Sequence, residues 1–194
     1  MGTIVINTNL TLDGVVEDPT GDEGFARGGW FDELMGEDRA PWAEVEAAEA
    51  DRTAAILMGR RSYDWFARRW QERSGPWADR LRAVPKYVVS SSSDGLVWDG
   101  STVLDGDLLD SVKRLRDEVD GDIVVYASRQ LVQTLLDNDL VDELRLIVLP
   151  TVLGDGRRLF GETASPVPVR LTSARTIGSG LAFLTYEVVR GGPA

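Results

Sequence analysis

The chain has 194 residues, 43% of them hydrophobic and 27% charged, which suits a soluble globular protein with one ordinary core. Its formal charge of -11 argues against a partner such as nucleic acid or an anionic membrane, because both need a clustered basic surface. The absence of cysteine and histidine excludes disulfides, thiolate catalysis and the Ser-His-Asp arrangement, and we expect no metal site. We see no signal peptide or membrane span and expect a cytoplasmic protein.

Seven segments rich in Val and Ile are predicted to be strands, since Gly, Pro, Asp or Ser residues bound them. In chain order they are 3–8, 54–58, 86–90, 122–126, 143–149, about 168–176 and 181–189. The first several are too continuously apolar for strands with one solvent-exposed face. We therefore expect a sheet covered on both faces.

Three segments between these strands, 60–70, 108–119 and 128–137, place their apolar residues on one helical face. The resulting β-α-β-α-β order predicts an α/β sheet. After Pro150 the turn "IGSG" predicts an antiparallel hairpin, so the sheet should be mixed. We find no linker and expect one domain over 1–194, with the acidic stretch 13–40 as a long loop.

Three strand ends carry residues that suit an anion, which binds well at helix N-termini beyond the carboxyl ends of strands. The first is Gly59-Arg60-Arg61-Ser62, where the arginines can grip phosphate oxygens. A solvated turn is the alternative. No Gly-rich dinucleotide fingerprint follows a strand and opens a helix, which disfavours a standard Rossmann fold.

The other two strand ends carry small polar residues. One is the serine run 90–93, which is either a ligand-binding edge or a plain loop. The other is Ala127-Ser128, where small side chains would let a pyrophosphate approach the backbone, unless Ser128 only caps the helix.

Five segments together resemble the dihydrofolate reductase-like proteins, in particular the group related to the reductase domain of bacterial riboflavin biosynthesis. They are "TNLTLDG" (8–14), "ILMGRRSYDWF" (56–66), "YVVSSS" (87–92), "IVVYASRQLVQTLL" (123–136) and "LVDELRLIVLPTVLGDGRRLF" (140–160). They occur in the family's order and cover nearly the whole chain. The resemblance implies a three-layer α/β/α fold with a mixed, mostly parallel central sheet and an antiparallel C-terminal hairpin.

The resemblance also implies an NADPH site at the three strand ends, with the two arginines selecting NADPH over NADH. The residues assigned to this cofactor are Thr8, Gly59, Arg60, Arg61, Ser62, Ser90, Ser91, Ala127, Ser128, Arg129 and Gln130. Family members commonly have glycines where this chain has Ala127 and Ser128. The backbone approach should therefore be tighter here.

On the substrate side the assigned residues are Asp13, Trp30, Phe66 and Tyr126. Asp13 matches an aspartate that lies beside the substrate in the riboflavin reductases, although a turn aspartate before Gly14 fits as well. Trp30 would stack on a substrate ring or anchor the loop in the core. Tyr126 stands where riboflavin reductases carry a glutamate, which argues against their substrate.

Without histidine, the proton for a reduction must come from a carboxylic acid, from Tyr126 or from water. We select Asp13 and Asp32 as the candidate carboxylates. The apolar neighbours of Asp32 would raise its pKa and keep it protonated. The alternative is that Asp32 is one of many carboxylates in an acidic loop and has no such role.

The leading hypothesis is NADPH-dependent hydride transfer to a C=N or C=O bond of a small planar heterocycle, pterin-like or pyrimidine-like. The alternative is a binding protein of the same fold without turnover. We also expect a homodimer, for which the apolar strand "LRLIVL" (144–149) is one candidate surface.

Overall fold

A single eight-stranded sheet runs through the computed structural model, which describes residues 1–163 and 165–190. Its order is β4-β3-β2-β5-β1-β6-β8-β7. Pairing is parallel from β4 to β6 and antiparallel from β6 through β8 to β7, which confirms the predicted mixed sheet. The strands are β1 Thr3–Thr11, β2 Thr53–Gly59, β3 Lys86–Val89, β4 Ser101–Val103, β5 Asp122–Tyr126, β6 Glu143–Leu149, β7 Val169–Ile177 and β8 Leu181–Val188.

Six α-helices accompany the sheet in the part of the chain that the structure describes. They are α1 Trp30–Met35, α2 Arg39–Asp51, α3 Arg60–Trp70, α4 Pro76–Ala83, α5 Leu108–Glu118 and α6 Arg129–Asp137, with a 3-10 turn at Gly36–Asp38 between α1 and α2. The three predicted helices are confirmed as α3, α5 and α6. The prediction of a long loop over 13–40 is wrong from Trp30 onward, because α1 forms there around the buried Trp30 and Phe31.

Two helical layers enclose the sheet. On one face, α5 and α6 pack against β-strand residues such as Ile6 and Val125. The opposite face carries α3 and α4 over Val5 and Met58, and α1 and α2 over Ile147. This confirms the three-layer α/β/α architecture, whereas the assignment of one domain to 1–194 stays a prediction.

Strand β6 lies inside the sheet, with β1 on one side and β8 on the other. Four of its apolar residues, Leu144, Leu146, Ile147 and Leu149, are buried. The idea that "LRLIVL" serves chiefly for dimer assembly is therefore wrong, because the monomer already uses both edges of the strand. The sheet has two edge strands, β4 and β7, and the residues of β7 are exposed except for Ile177.

The turn between β7 and β8 is fixed to the segment between α1 and α2. Asp38 accepts hydrogen bonds from the N–H groups of Ser179 at 2.7 Å and Gly180 at 3.0 Å. Gly178 has φ of +58°, and a Cβ there would lie 2.1 Å from Asp38 Oδ1. The turn therefore requires glycine at 178 for backbone conformation and for space.

The two lysines differ sharply in environment. Lys86, on β3, is completely buried, and its Nζ donates to the carbonyls of Arg82 at 2.8 Å and Asp99 at 3.0 Å. The same Nζ lies 4.7 Å from the ring centre of Trp98. Burial lowers the pKa of Lys86 to about 8. Lys113, on α5, is exposed.

Within residues 1–163 and 165–190, none of the helices combines the length and the apolar composition that a membrane span needs.

Candidate functional site

The end of β2 and the first turn of α3 are joined by two hydrogen bonds to Ser128, in the short link between β5 and α6. The Gly59 N–H donates to Ser128 Oγ at 3.1 Å, and the Ser128 N–H donates to Ser62 Oγ at 3.0 Å. Parallel pairing of the two strands brings their carboxyl ends to one edge of the sheet. Two of the three predicted strand ends therefore lie side by side.

The first turn of α6 follows β5 with an unusual backbone. Ala127 and Ser128 have φ of 51° and 55°, in a left-handed region that costs a non-glycine residue roughly 1–2 kcal/mol. The Ser128 side chain makes no cap hydrogen bond to α6 within the described residues, so the capping alternative is wrong. The leading N–H groups of α6, at Arg129 and Gln130, therefore keep their capacity to bind an anion.

The two arginines at the start of α3 are held by acidic partners. Arg60 Nε lies 2.9 Å from Asp64 Oδ1, and its Nη1 donates to the Ser92 carbonyl at 3.4 Å. Arg61 Nη2 lies 2.9 Å from Glu23 Oε2, with 69% of the Arg61 side chain exposed. Ion pairs at exposed or half-exposed positions like these are worth only about 0–1 kcal/mol, so a phosphate group can replace the carboxylates.

The third predicted strand end, after β3, borders an open groove of about 720 Å³. Its lining includes Ser91 and the β4 residues 101–103, and also Asp94 and Asp105, so the groove is not basic. Ser90 Oγ is occupied by a local turn, in which it donates to the Ser92 carbonyl at 2.8 Å. The contact between Arg60 and the Ser92 carbonyl joins this groove to the other two strand ends.

Thr8 lies on β1 and is buried, with a long hydrogen bond of 3.4 Å from its hydroxyl to the Asn9 carbonyl. Its hydroxyl is weakly engaged and remains able to contact a ligand.

Asp13 is a structural carboxylate. It accepts hydrogen bonds from Thr11 Oγ1 at 2.6 Å and from the N–H groups of Leu153 at 3.2 Å and Gly154 at 2.9 Å. The Thr11 bond is the largest cause of a fall in the pKa of Asp13 to about 2. The low pKa and the three hydrogen bonds favour an ionised carboxylate near neutral pH and argue against the predicted role of proton donor. The turn interpretation describes Asp13 better.

Neither Asp32 nor Trp30 has the environment that a role in the site requires. Asp32 is exposed and forms an ion pair with Arg39 at 2.7 Å, so the apolar surroundings expected of it are absent. Trp30 is buried, and its indole N–H donates to the Glu17 carbonyl at 2.8 Å. Trp30 is thus a core anchor with no free ring face for stacking.

Phe66 and Tyr126 lie in an aromatic cluster on the α3 side of the sheet. The Tyr126 ring centre is 5.8 Å from that of Phe66 and 5.9 Å from that of Trp77. Both assigned residues are almost completely buried, so direct stacking of a substrate on Phe66 is not available in this arrangement. Tyr126 differs from Phe66 because it carries a polar atom into the cluster.

A row of buried polar side chains crosses β5, β1 and β6 beneath α2. Tyr126 pairs in register with Asn7, and Asn7 pairs in register with Arg145, so all three side chains leave the same face of the sheet. Arg145 Nη1 lies 2.9 Å from Glu49 Oε2 of α2, and Arg145 Nη2 lies 2.7 Å from Asp122 Oδ2. The Arg145 end of the row is therefore neutralised by carboxylates.

The other end of the row faces Glu46, one turn before Glu49 on α2. Asn7, Glu46 and Tyr126 are only 2%, 3% and 4% exposed. Asn7 Nδ2, Glu46 Oε1 and the Tyr126 hydroxyl find no hydrogen-bond partner in residues 1–163 and 165–190. Burial, with the charge of Glu49, raises the pKa of Glu46 to about 8. Burial likewise raises the pKa of Tyr126.

The residues of this row other than Tyr126 were missed from the sequence. The available signal was the spacing of Glu46 and Glu49, three apart in a helix that also presents Trp42 to the sheet. Asn7 was a second signal, since it interrupts the apolar run of β1.

Comparison with known proteins identifies the family of the chain. A model of the RibD C-terminal domain matches residues 2–183. The chain belongs to the RibD C-terminal domain family. It is 25% identical over 190 residues to "uncharacterized protein YyaP" of Bacillus subtilis, covering 95% of this chain and 94% of that protein.

Solved structures of related fold agree with this assignment. The structure of a putative riboflavin biosynthesis protein from Shewanella sp. PV-4 has a TM-score of 0.74 and 21% identity, covering 97% of this chain and 99% of the other. Dihydrofolate reductase from Enterococcus faecalis, complexed with NADP(H), has a TM-score of 0.61 and 14% identity, covering 96% of each chain. At these identities the similarity shows the fold, which confirms the predicted dihydrofolate reductase-like architecture.

As a RibD C-terminal domain, the chain combines an open polar edge with a closed interior. The edge consists of the end of β2 with the first turn of α3, the loop after β3, and the link after β5 with the start of α6. The interior consists of the aromatic cluster and the polar row under α2. Tyr126 joins the two, because it ends β5 and is followed by the exposed Ala127.

Proposed function

We propose that the protein is an NADPH-dependent oxidoreductase that reduces a C=N or C=O bond of a small planar heterocycle, pterin-like or pyrimidine-like. Membership of the RibD C-terminal domain family supports a reductase. The observation that carries the proposal is the joined ends of β2 and β5, where Gly59, Ser62 and Ser128 interlock beside the uncapped start of α6.

The residues at this edge fit the phosphates of NADPH. The N–H groups of Arg129 and Gln130 would hold the pyrophosphate, since a helix N-terminus favours negative charge. Arg60 and Arg61 would hold the 2′-phosphate, and Ser90 and Ser91 would lie near the adenosine. Bound there, the cofactor supplies the hydride, while the protein supplies orientation and charge.

A titration with NADPH and NADH tests the cofactor assignment. We expect NADPH to bind more tightly, and Arg60→Ala and Arg61→Ala each to weaken NADPH binding about tenfold, the worth of one charge-assisted hydrogen bond. NADH binding should change little. Arg68→Ala is the matched control, because Arg68 is exposed on the same helix and its side chain donates only to the Asp64 carbonyl within residues 1–163 and 165–190.

Two results would contradict this assignment. If neither nucleotide binds the unaltered protein, the reductase proposal fails. If both bind equally, the roles of the arginines fail while the edge itself survives.

A binding protein without turnover is the second candidate function. It is favoured by the aromatic cluster, in which Phe66, Trp77 and Tyr126 fill the side where a substrate ring would lie. NADPH oxidation with a panel of pterins, pyrimidines and quinones separates the two functions. Oxidation with any member establishes the reductase, whereas nucleotide binding without oxidation across the panel supports the binder.

We also propose a homodimer, which the resemblance favours. The exposed edge of β7 supports it, because an unpaired strand edge offers N–H and C=O groups to another chain. Light scattering measures the mass directly, and a monomer at all concentrations would contradict the dimer.

A further inference from the structure

The segment between β1 and α1 carries a carboxylate that reaches across the carboxyl edge of the sheet. Glu23 Oε2 lies 2.9 Å from Arg61 Nη2, at the start of α3, and 3.8 Å from Arg157 Nη2, in the segment after β6. In the sheet, β5 and β1 lie between β2, which precedes Arg61, and β6. The Glu23 carboxylate therefore bridges the same edge at which the nucleotide is proposed to bind.

The position of Glu23 is fixed by the backbone of its own segment. Asp18, which is 2% exposed, accepts the Glu23 N–H through Oδ1 and the Phe25 N–H through Oδ2, both at 3.0 Å. The Asp18 carbonyl accepts the N–H of Gly29 at 2.9 Å. A backbone held in this way reduces the entropy that the Glu23 side chain loses when it binds an arginine.

The contact between Glu23 and Arg61 has the chemistry of the ligand that would replace it. Carboxylates and phosphates both present oxygen atoms that accept charge-assisted hydrogen bonds from a guanidinium group. The Arg61 side chain is 69% exposed and the Glu23 side chain is 31% exposed, so a nucleotide in solution can reach the pair. Placing both anions on the same Nη group would bring two negative charges together. They should therefore compete for Arg61.

Arg157 offers Glu23 a second partner. The Arg157 guanidinium pairs with Glu17, with 2.7 Å between Nη2 and Oε1, and the Arg157 N–H donates to Glu17 Oε2 at 2.7 Å. These contacts hold Arg157 within 3.8 Å of Glu23. On leaving Arg61, the Glu23 carboxylate would move toward Arg157. The exchange with a phosphate therefore leaves no charge without a partner.

We propose that Glu23 competes with the 2′-phosphate of NADPH for Arg61, and that this competition sets how strongly the protein prefers NADPH to NADH. The inference rests on the proposed function, in which Arg60 and Arg61 hold the 2′-phosphate. NADPH must displace Glu23 to reach Arg61, whereas NADH has no 2′-phosphate and leaves the contact in place. Glu23 thus lowers the affinity for NADPH alone, which makes it a specificity-determining residue.

Titration of Glu23→Gln with NADPH and NADH tests the competition. Glutamine keeps the size of the side chain and removes its charge. The affinity for NADPH should rise about threefold to fivefold, which is the most that an ion pair at a partly exposed position withholds. The affinity for NADH should stay the same, so the ratio of the two dissociation constants should change by that factor. Thermal unfolding checks that the variant is folded.

Asp22→Asn is the matched control. Asp22 adjoins Glu23 and lies 2.7 Å from Arg69, which is further along α3 and has no place in the proposed phosphate site. We expect this variant to bind both nucleotides as the unaltered protein does. A gain equal to that of Glu23→Gln would overturn the inference, because general loosening of the segment from α3 would then explain the effect.

The double variant Glu23→Gln with Arg61→Ala locates the effect at this contact. Without Arg61 the carboxylate has no cation to compete for, so Glu23→Gln should no longer raise the affinity for NADPH. A gain of the same size in the Arg61→Ala background would overturn the inference. It would show repulsion between Glu23 and the nucleotide that does not involve Arg61.

The outcomes separate this inference from the proposed function. If the unaltered protein binds NADPH and Glu23→Gln binds it no better, the competition is excluded while the cofactor assignment stands. An equal gain in affinity for NADPH and NADH would contradict the role in specificity. If neither the unaltered protein nor Glu23→Gln binds either nucleotide, the proposed function fails and this inference fails with it.

Discussion

The open edge after β2 and β5 and the closed row under α2 use charge in opposite ways. At the edge, Arg60 stands in a half-buried ion pair and Arg61 in an exposed one, and water and salt reach both. Under α2, Arg145 is buried with carboxylates, and Glu46 has an acidic neighbour instead of a cation. The edge can therefore exchange its partners at little cost, whereas the row is fixed by the fold.

This contrast predicts which substitutions change ligand affinity and which change the stability of the fold. Removing a charge from the edge should alter ligand affinity with little effect on folding. Removing one from the row should alter folding first. The predictions below test this division, beginning with the largest expected effect.

Replacing Arg145 should destabilise the protein most. Arg145→Met would leave Glu49, Asp122 and Glu143 buried or half-buried without their shared cation, at a cost of about 3–5 kcal/mol in the free energy of unfolding. Urea denaturation measures it. Arg175→Met is the control, because Arg175 is half-exposed, 4.0 Å from Glu49 and 4.8 Å from the ring centre of Phe183, and should cost about 1 kcal/mol or less. Equal losses would remove the distinction between the two regions.

The pH dependence of stability should report the proton on Glu46. Its pKa is raised from 4.5 to about 8 on folding, so between these values the folded state holds a proton that the unfolded state lacks. The free energy of unfolding should therefore fall as pH rises through this window, by up to about 1.4 kcal/mol per unit. Denaturation of Glu46→Gln should lack this slope, and Glu44→Gln, at an exposed position of the same helix, should retain it. A slope unaffected by Glu46→Gln would show that the group is ionised when folded.

The smallest effect is expected at the edge. Ser128→Ala would remove the acceptor for the Gly59 N–H and cost about 1 kcal/mol. Thermal unfolding measures it, with Ser93→Ala, at an exposed loop position, as the control. If Ser128→Ala lowered the free energy of unfolding as much as Arg145→Met does, the edge would be as important for stability as the buried row.

The apolar pattern of the chain accounts for most of the fold but not for the polar row. Strands and helices with continuous or periodic apolar residues were predicted within one to three residues of their observed bounds. Helix α2 was missed because Glu46 and Glu49 occupy part of its inward face. Strand β4 was missed because it has only three residues.

The candidate site divides in the same way. The residues at the ends of β2 and β5 were predicted because glycine, serine and arginine at the end of a strand indicate an anion site from the local sequence alone. The partners of Asp13, Trp30 and Asp32 depend on distant segments, which no local pattern reveals. The Asn7–Tyr126 register and the position of α2 above it are long-range features of the same kind.

The burial of Lys86 has a practical consequence for any study of binding. Lys113 is exposed on α5, on the face of the sheet opposite α1–α4, so amine-directed reagents should attach at that side chain and at the terminal amine. The protein can thereby be tethered or dye-labelled on the α5 side of the sheet, so that the edge that is proposed to hold the nucleotide stays open to solution.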